Sequence, residues 1–373
     1  MKKLVVLLFV VLLGSRSLSF AFGFEGHALV GAIAEARLTG TPTAARVSEL
    51  LGGMSLSRAA TLPDELKSLD KHGTKVPGIF VLPENPALER QLKEFWEANP
   101  PAKTLRSKDD SDPVPAHHWF HYTDIPLPHT SYRQGKHGRS RWDVVQMIPY
   151  CLGVLEGRIP EDNPRRITKP VAVVLLAHYV GDLHQPLHVG AEYFDLEGRP
   201  VDPEVVPDAL EDQGGNTLFL FLKKPLDPAP NRRLTLHAFW DRYAASAAIA
   251  RLGAEIRKEN PDHAPYFPPA EIAAHLVRRE PAGWNSAENE DPYLWSERWA
   301  DEILPVAREA HARLHYSRIE PWERGGVTYA SGFVREKIMP DEKDYADWAG
   351  EVISEQIAKA GWRLAALLQK ALP

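Results

Sequence analysis

Two His-x-x-x-Asp steps constrain this chain more than any other feature. His178 and Asp182 stand four residues apart in AHYVGDLHQPLHVG, residues 177–190, and His237 and Asp241 repeat the spacing in LHAFWDR, residues 236–242. On a helix, that spacing puts both side chains on one face, close enough to share a metal ion or hold neighbouring ones. Pro186 should end the first helix, so that His188 can swing back toward the same place from the exit loop. One such pair arises often by chance. Two pairs, with a further histidine ten residues after His178, require a fold that gathers inward-facing ligands from several helices, as helical bundles do.

The rest of the chain supplies such helices. Amphipathic patterns run over residues 26–38, 58–69, 142–155, 168–183, 234–252, 294–315 and 345–372. Thr168 is a plausible N-cap, with Pro170 tolerated in the first turn. Strand signal is thin, and TLFLFL at 217–222, beside a Gly-Gly pair, is its best example. The expectation is an all-α, mainly helical single domain with at most a short β-hairpin. Three polar, Pro-rich stretches, near 72–116, 191–213 and 257–292, read as surface insertions on it. Proline reaches 32 of 373 residues, and much of it falls there.

The first residues read as an export signal rather than as part of the domain. Lys2 and Lys3 precede an apolar run from Leu4 to Leu13, and Ser19-Phe20-Ala21 resembles a cleavage site. The run is too short to span a membrane. Cleavage after Ala21 gives a domain of residues 22–373. Its loss of Lys2, Lys3 and Arg16 would leave 41 basic against 50 acidic residues. So acidic a protein does not bind polyanions by bulk electrostatics. A phosphate ester would have to be held by local cations, for which metal ions are the obvious candidates. Cys151 is the single cysteine, which excludes an internal disulfide. Its apolar setting suggests a buried small hydrophobe rather than a nucleophile.

Histidine and aspartate without thiolate suits catalytic zinc. Structural zinc sites usually use cysteines and are closed, whereas magnesium prefers oxygen ligands alone. The new N-terminus adds a candidate, because the free amine of Phe22 can act as a neutral nitrogen ligand and His27 follows five residues later.

Taken in order, Phe22-Gly-x-x-Gly-His27, Pro63-Asp64-x-x-Lys67, His121-Tyr122-Thr123-Asp124, the run from His178 to His188, Gly214-Gly215-Asn216 and His237-x-x-Trp240-Asp241 resemble the S-one/P-one nucleases of the zinc-dependent phospholipase C superfamily. The resemblance covers nearly the whole chain after residue 21, apart from the three insertions. It implies three zinc ions. Asp64, His121 and His178 would hold one, and His188, His237 and Asp241 a second. The Phe22 amine and carbonyl with His27 would hold a third, with Asp182 bridging the first and third. The attacking water would lie between the first two. The resemblance also gives Lys67 the stabilisation of charge on the phosphate, and Tyr122, Asp124 and Asn216 a base pocket. Without it, Lys67 reads as solvated surface, Tyr122 as core and Asp124 as a turn cap.

The chain departs from the family pattern in three places. Phe22 replaces the usual tryptophan, Leu62-Pro63-Asp64 replaces Trp-Ala-Asp, and the disulfides of eukaryotic members are absent. His117 and His118 precede His121 closely enough to compete for its role, and His184 reads as a hydrogen-bonding neighbour of the ligands. The resemblance implies hydrolysis of single-stranded DNA and RNA to 5′-phosphate products, and 3′-nucleotidase action as well. The alternatives are a phospholipase C using the same ions, and an exported zinc-binding protein without catalysis. Neither a stable membrane association nor a protein partner is expected.

Overall fold

A computed structural model describes residues 23–100, 116–226, 233–262 and 266–373. The leader expected at 1–21 and the ligand expected at Phe22 lie outside the described residues.

The centre of the fold is the helix Lys169–Asp182, hereafter the ligand helix. Thr168 caps its N-terminus by accepting the Val171 N–H, and Pro170 occupies the first turn, where no intrahelical donor is needed. Every residue from Val171 to Asp182 is buried. A helix apolar on all sides belongs inside a protein, and here its neighbours surround it. The opening helix Gly23–Leu38 and the closing helix Tyr345–Ala371 pack on each other and on the ligand helix, and Val144–Leu155 lies along it. Cys151 is fully buried on that last helix, where desolvation pushes its thiol pKa up. Among the described residues, no helix is long and apolar enough to cross a membrane.

The expected helix over 58–69 is three single turns instead, Leu56–Ala59, Leu62–Leu66 and Leu69–His72. Pro63 cannot donate a backbone hydrogen bond, which breaks the run. The helix expected over 294–315 stops at Ala312, and the chain turns into strand at Leu314.

The fold is predominantly helical, but its β content exceeds the short hairpin expected. Leu314–Arg324 and Val327–Glu336 form a long antiparallel hairpin closed by Gly325-Gly326, both at positive φ. Leu218–Phe221, the strand seen in the sequence, pairs parallel to Val327–Glu336 and so completes a three-stranded sheet.

Two of the three Pro-rich stretches hold part of the core. Pro86–Ala98 is a helix capped by Asn85, burying Leu88, Leu92 and Phe95 and packing on the ligand helix. Pro269–Leu276 buries Ile272 and Ala273 and packs on the opening helix. In the third, Tyr193–Phe194 pairs with Leu210–Glu211.

Candidate metal centre

His178 and Asp182 emerge from the ligand helix into a cluster that draws on five other segments. Three groups of side chains each bring their ligand atoms within 4.8 Å of one another: His27, His178 and Asp182; Asp64, His121 and His178; and His188, His237 and Asp241. The first two share His178. Asp182 faces both, with Oδ2 2.9 Å from His121 Nδ1 and 3.1 Å from His178 Nε2, and Oδ1 3.4 Å from His27 Nε2. His188 Nε2 and His237 Nε2 lie 3.5 and 3.3 Å from the two oxygens of Asp241, and His188 Nδ1 lies 3.6 Å from Asp182 Oδ1, which links this group to the first. A fourth group, Asp70, His117 and His118, shares no residue with these.

The backbone aims the imidazoles. His178 Nδ1 donates to the Ala60 carbonyl, His188 Nδ1 to that of His121 and His237 Nδ1 to that of Gly214, each at 2.8 Å. With Nδ1 donating to the backbone, Nε2 is the atom that each of the three rings presents to the cluster; metal sites orient histidine in this way. The Gly214-Gly215 turn therefore positions His237, which also donates its backbone N–H to Gly215. His237 sits in the short helix Leu236–Ala238, and Asp241 in the π-helical segment Phe239–Ala244 rather than in a continuous α-helix. Gln185 donates to Asp241 Oδ1 at 2.9 Å, an orienting contact that sequence reasoning missed.

His27 reaches the ligand helix because residue 181 is glycine. A Cβ there would stand 2.8 Å from His27 Nδ1. The His27 ring stacks on His178 with centroids 3.8 Å apart. At the start of the opening helix, Gly23 has φ +62°, and a Cβ on it would lie 2.8 Å from the Asp241 carbonyl oxygen. The opening helix thus begins against the segment that carries Asp241.

The electrostatics of the bare protein fit a cation site. Burial works to raise the Asp182 pKa, but His178, His188 and His121 hold it well below the usual carboxylate range. Burial alone would lower the His188 pKa, yet Asp182 and Asp241 push it up to about 9. Burial, followed by Lys67, lowers His121 far below the ordinary histidine value. Asp64 Oδ2, Asp182 Oδ1 and His188 Nε2 are buried without a hydrogen-bond partner among the described residues. Leaving such atoms unsatisfied is costly; a metal ion in each group would satisfy them.

A family model described as S1/P1 Nuclease matches residues 22–373. The chain belongs to the S1/P1 nuclease family. It is also 27% identical to Endonuclease 1 of Arabidopsis thaliana over 145 residues, which cover 35% of this chain and 39% of that protein. With Endonuclease 4 of the same plant, it shares 24% identity over 146 residues, or 36% of this chain and 40% of that protein. The matches thus span about two fifths of the length of these curated relatives. For a member of the S1/P1 nuclease family, the three linked His/Asp groups suit a complement of three zinc ions.

Around the metal centre of this S1/P1 family member, Lys67 Nζ lies 2.7 Å from Asp64 Oδ1. Burial acts to lower the Lys67 pKa, but Asp64, Asp182 and Asp241 outweigh it and raise the value, so the ammonium stays charged. Tyr122 is half-buried and Asp124 buried. Burial, then the charges of Asp124 and Glu211, drives the Tyr122 pKa well up. Tyr329 on the hairpin lies close enough to Tyr122 to contribute to the same shift. Asn216 is exposed and donates to the Gln213 carbonyl within its own turn. His184 has both ring nitrogens engaged elsewhere, by the Val180 carbonyl and by Arg363.

Proposed function

We propose that this chain is a zinc-dependent phosphodiesterase that hydrolyses single-stranded DNA and RNA to 5′-phosphate products. The observation that carries the reading is the run of three linked His/Asp groups with the Lys67 ammonium beside Asp64. Bound zinc brings water to a pKa of about 7 and neutralises the attacking and leaving oxygens of an in-line displacement. The side chains divide the remaining work. Asp64, His121 and His178 would hold one ion, and His188, His237 and Asp241 another. His27 would hold the third, and Asp182, which faces both His27 and His121, would serve the first and third. Lys67 supplies a fixed positive charge to the phosphate oxygens as negative charge builds on them.

Export completes the third group in this proposal. Removal of residues 1–21 frees the amine of Phe22 one residue before Gly23, whose backbone lies against Asp241. Tyr122 would stack on a base and Asp124 accept from its edge, with Asn216 at the rim. Stacking tolerates any base, which suits an enzyme acting on unpaired strands. The names of the two plant relatives support the substrate class.

The test uses protein beginning at Phe22, with single-stranded DNA, double-stranded DNA and phosphatidylcholine vesicles as substrates, each with and without chelator. Chelator-sensitive cutting of single strands to 5′-phosphate ends, abolished in His178→Ala, is the expected result. Cleavage of the lipid alone would overturn the substrate assignment. Zinc bound at all three linked groups without hydrolysis of any substrate would overturn the catalytic one.

A further inference from the structure

We propose that Asp70, His117 and His118 form a fourth divalent-cation site, zinc being the ion its donor set suits best. His117 Nε2 lies 3.1 Å from Asp70 Oδ1, and His118 Nε2 2.7 Å from Asp70 Oδ2. The three ligand atoms fall within 4.8 Å of one another, as in the other groups. The donor set, two imidazoles and one carboxylate, is that of the His188, His237 and Asp241 group. It leaves at least one coordination position for water or an anionic oxygen, as open zinc sites do.

Two separate segments bring these ligands together. Asp70 lies in the turn Leu69–His72, and the histidines open the 3-10 helix His117–His121. Trp96, on the helix Pro86–Ala98, donates its indole N–H to Asp70 Oδ1 at 2.9 Å and fixes the carboxylate, as outer partners of metal ligands do. The His117 backbone N–H donates to the Asn99 carbonyl, and the Asn99 side chain bonds in turn to Arg165. His117 is 2% exposed, so its ring meets Asp70 in the protein interior. The His118 side chain is 40% exposed, which gives the group a solvent entrance. Lys67, one turn before Asp70, lies close enough to influence His117. A cation held here would add positive charge on that side of the centre, in a chain with a net charge of −6.

The competing account is a hydrogen-bonded network in which both rings and Trp96 donate to Asp70 and no ion binds. Zinc content separates the two. Wild type, His118→Ala and Asp70→Asn would be dialysed against micromolar zinc, checked for folding by circular dichroism and analysed for metal. Asp70→Asn keeps the side-chain shape should His118→Ala fail to fold. Wild type should carry one equivalent more than either variant, and zinc anomalous diffraction should show a peak about 2.0–2.2 Å from the three ligand atoms. Equal zinc content in wild type and a folded variant, or anomalous peaks at the other groups and none here, would overturn the site. The proposal is independent of the reaction proposed above, because His178→Ala should lose zinc from the linked groups and keep this equivalent.

Discussion

Gly181→Ala should cost the protein a metal ion, although glycine to alanine inside a helix is ordinarily favourable by about 0.8–1 kcal/mol. The added Cβ would sit 2.8 Å from His27 Nδ1 and 3.2 Å from its Cε1. Ordinary contact begins near 3.4 Å, so the ring must retreat by about 0.6 Å. It has little room to do so, being fully buried and stacked at 3.8 Å on His178. Metal–ligand distances tolerate about 0.2 Å, so the displacement is roughly three times what the third group can absorb. Overpacking costs about 1–3 kcal/mol and cancels or exceeds the helix-propensity gain. The variant should therefore bind two zinc ions in the linked groups instead of three. Displacements approaching 1 Å cost up to ~100-fold in rate, so activity on single strands should fall by roughly 10- to 100-fold. Elemental analysis, a chelator-treated thermal melt and the nuclease assay read the three quantities. Full zinc content with a raised Tm would refute the reasoning, since it would mean that His27 is not held against the ligand helix.

Three further substitutions probe the centre's surroundings and one buried carboxyl away from it. Lys67→Met keeps the stem and removes the charge; kcat should drop about 100- to 1000-fold with zinc content unchanged, and an unaltered kcat would remove Lys67 from the reaction. Tyr122→Ala forfeits ~1–3 kcal/mol of base stacking, which should raise KM for single-stranded substrate roughly 5- to 150-fold; an unchanged KM would return Tyr122 to the core. Glu192 is 7% exposed, and desolvation pushes its pKa to about 7 from an ordinary 4.5. The folded state thus favours the protonated acid, a preference fully present below about pH 4.5 and lost as pH rises through about 7. Glu192→Gln should flatten that decline, worth at most roughly 3 kcal/mol, in denaturant melts of chelated protein at pH 5 and pH 8; equal slopes in both proteins would rule it out.

The ligand helix was legible in its extent and in the spacing of His178 and Asp182, which share one face. Its setting was not: the sequence reads there as an amphipathic helix, whereas every residue from Val171 to Asp182 is buried because neighbouring helices cover all its sides. The hairpin was not legible by the same means. Its outer strand is mostly exposed, so it lacks the apolar alternation that marks a half-buried strand. The only local sign was Gly325-Gly326, a turn whose positive φ values suit glycine. The helix Pro86–Ala98 carried clear signals, an Asn-Pro start and Leu88, Leu92 and Phe95 at helical spacing; the prolines around it outweighed them in a reading by composition. Gln185 gave no signal, since its contact with Asp241 crosses 56 residues of sequence.

The position of the centre follows from its cost. Asp64, Asp182 and Asp241 are each at most 2% exposed in a chain that is already acidic. Without ions, the countercharges that reach them are the Lys67 ammonium and the imidazoles of His178 and His188, whose pKa values the carboxylates raise. Charges buried in this way repay little of their desolvation cost. The surrounding helices tolerate them because the imidazoles are already turned inward by backbone carbonyls, so binding cations requires little rearrangement. In the reaction proposed above, the apolar sheath would be part of the chemistry. It would exclude the water that otherwise screens bound ions, and it would confine the positive charge that an acidic protein needs for a phosphate to the metal centre.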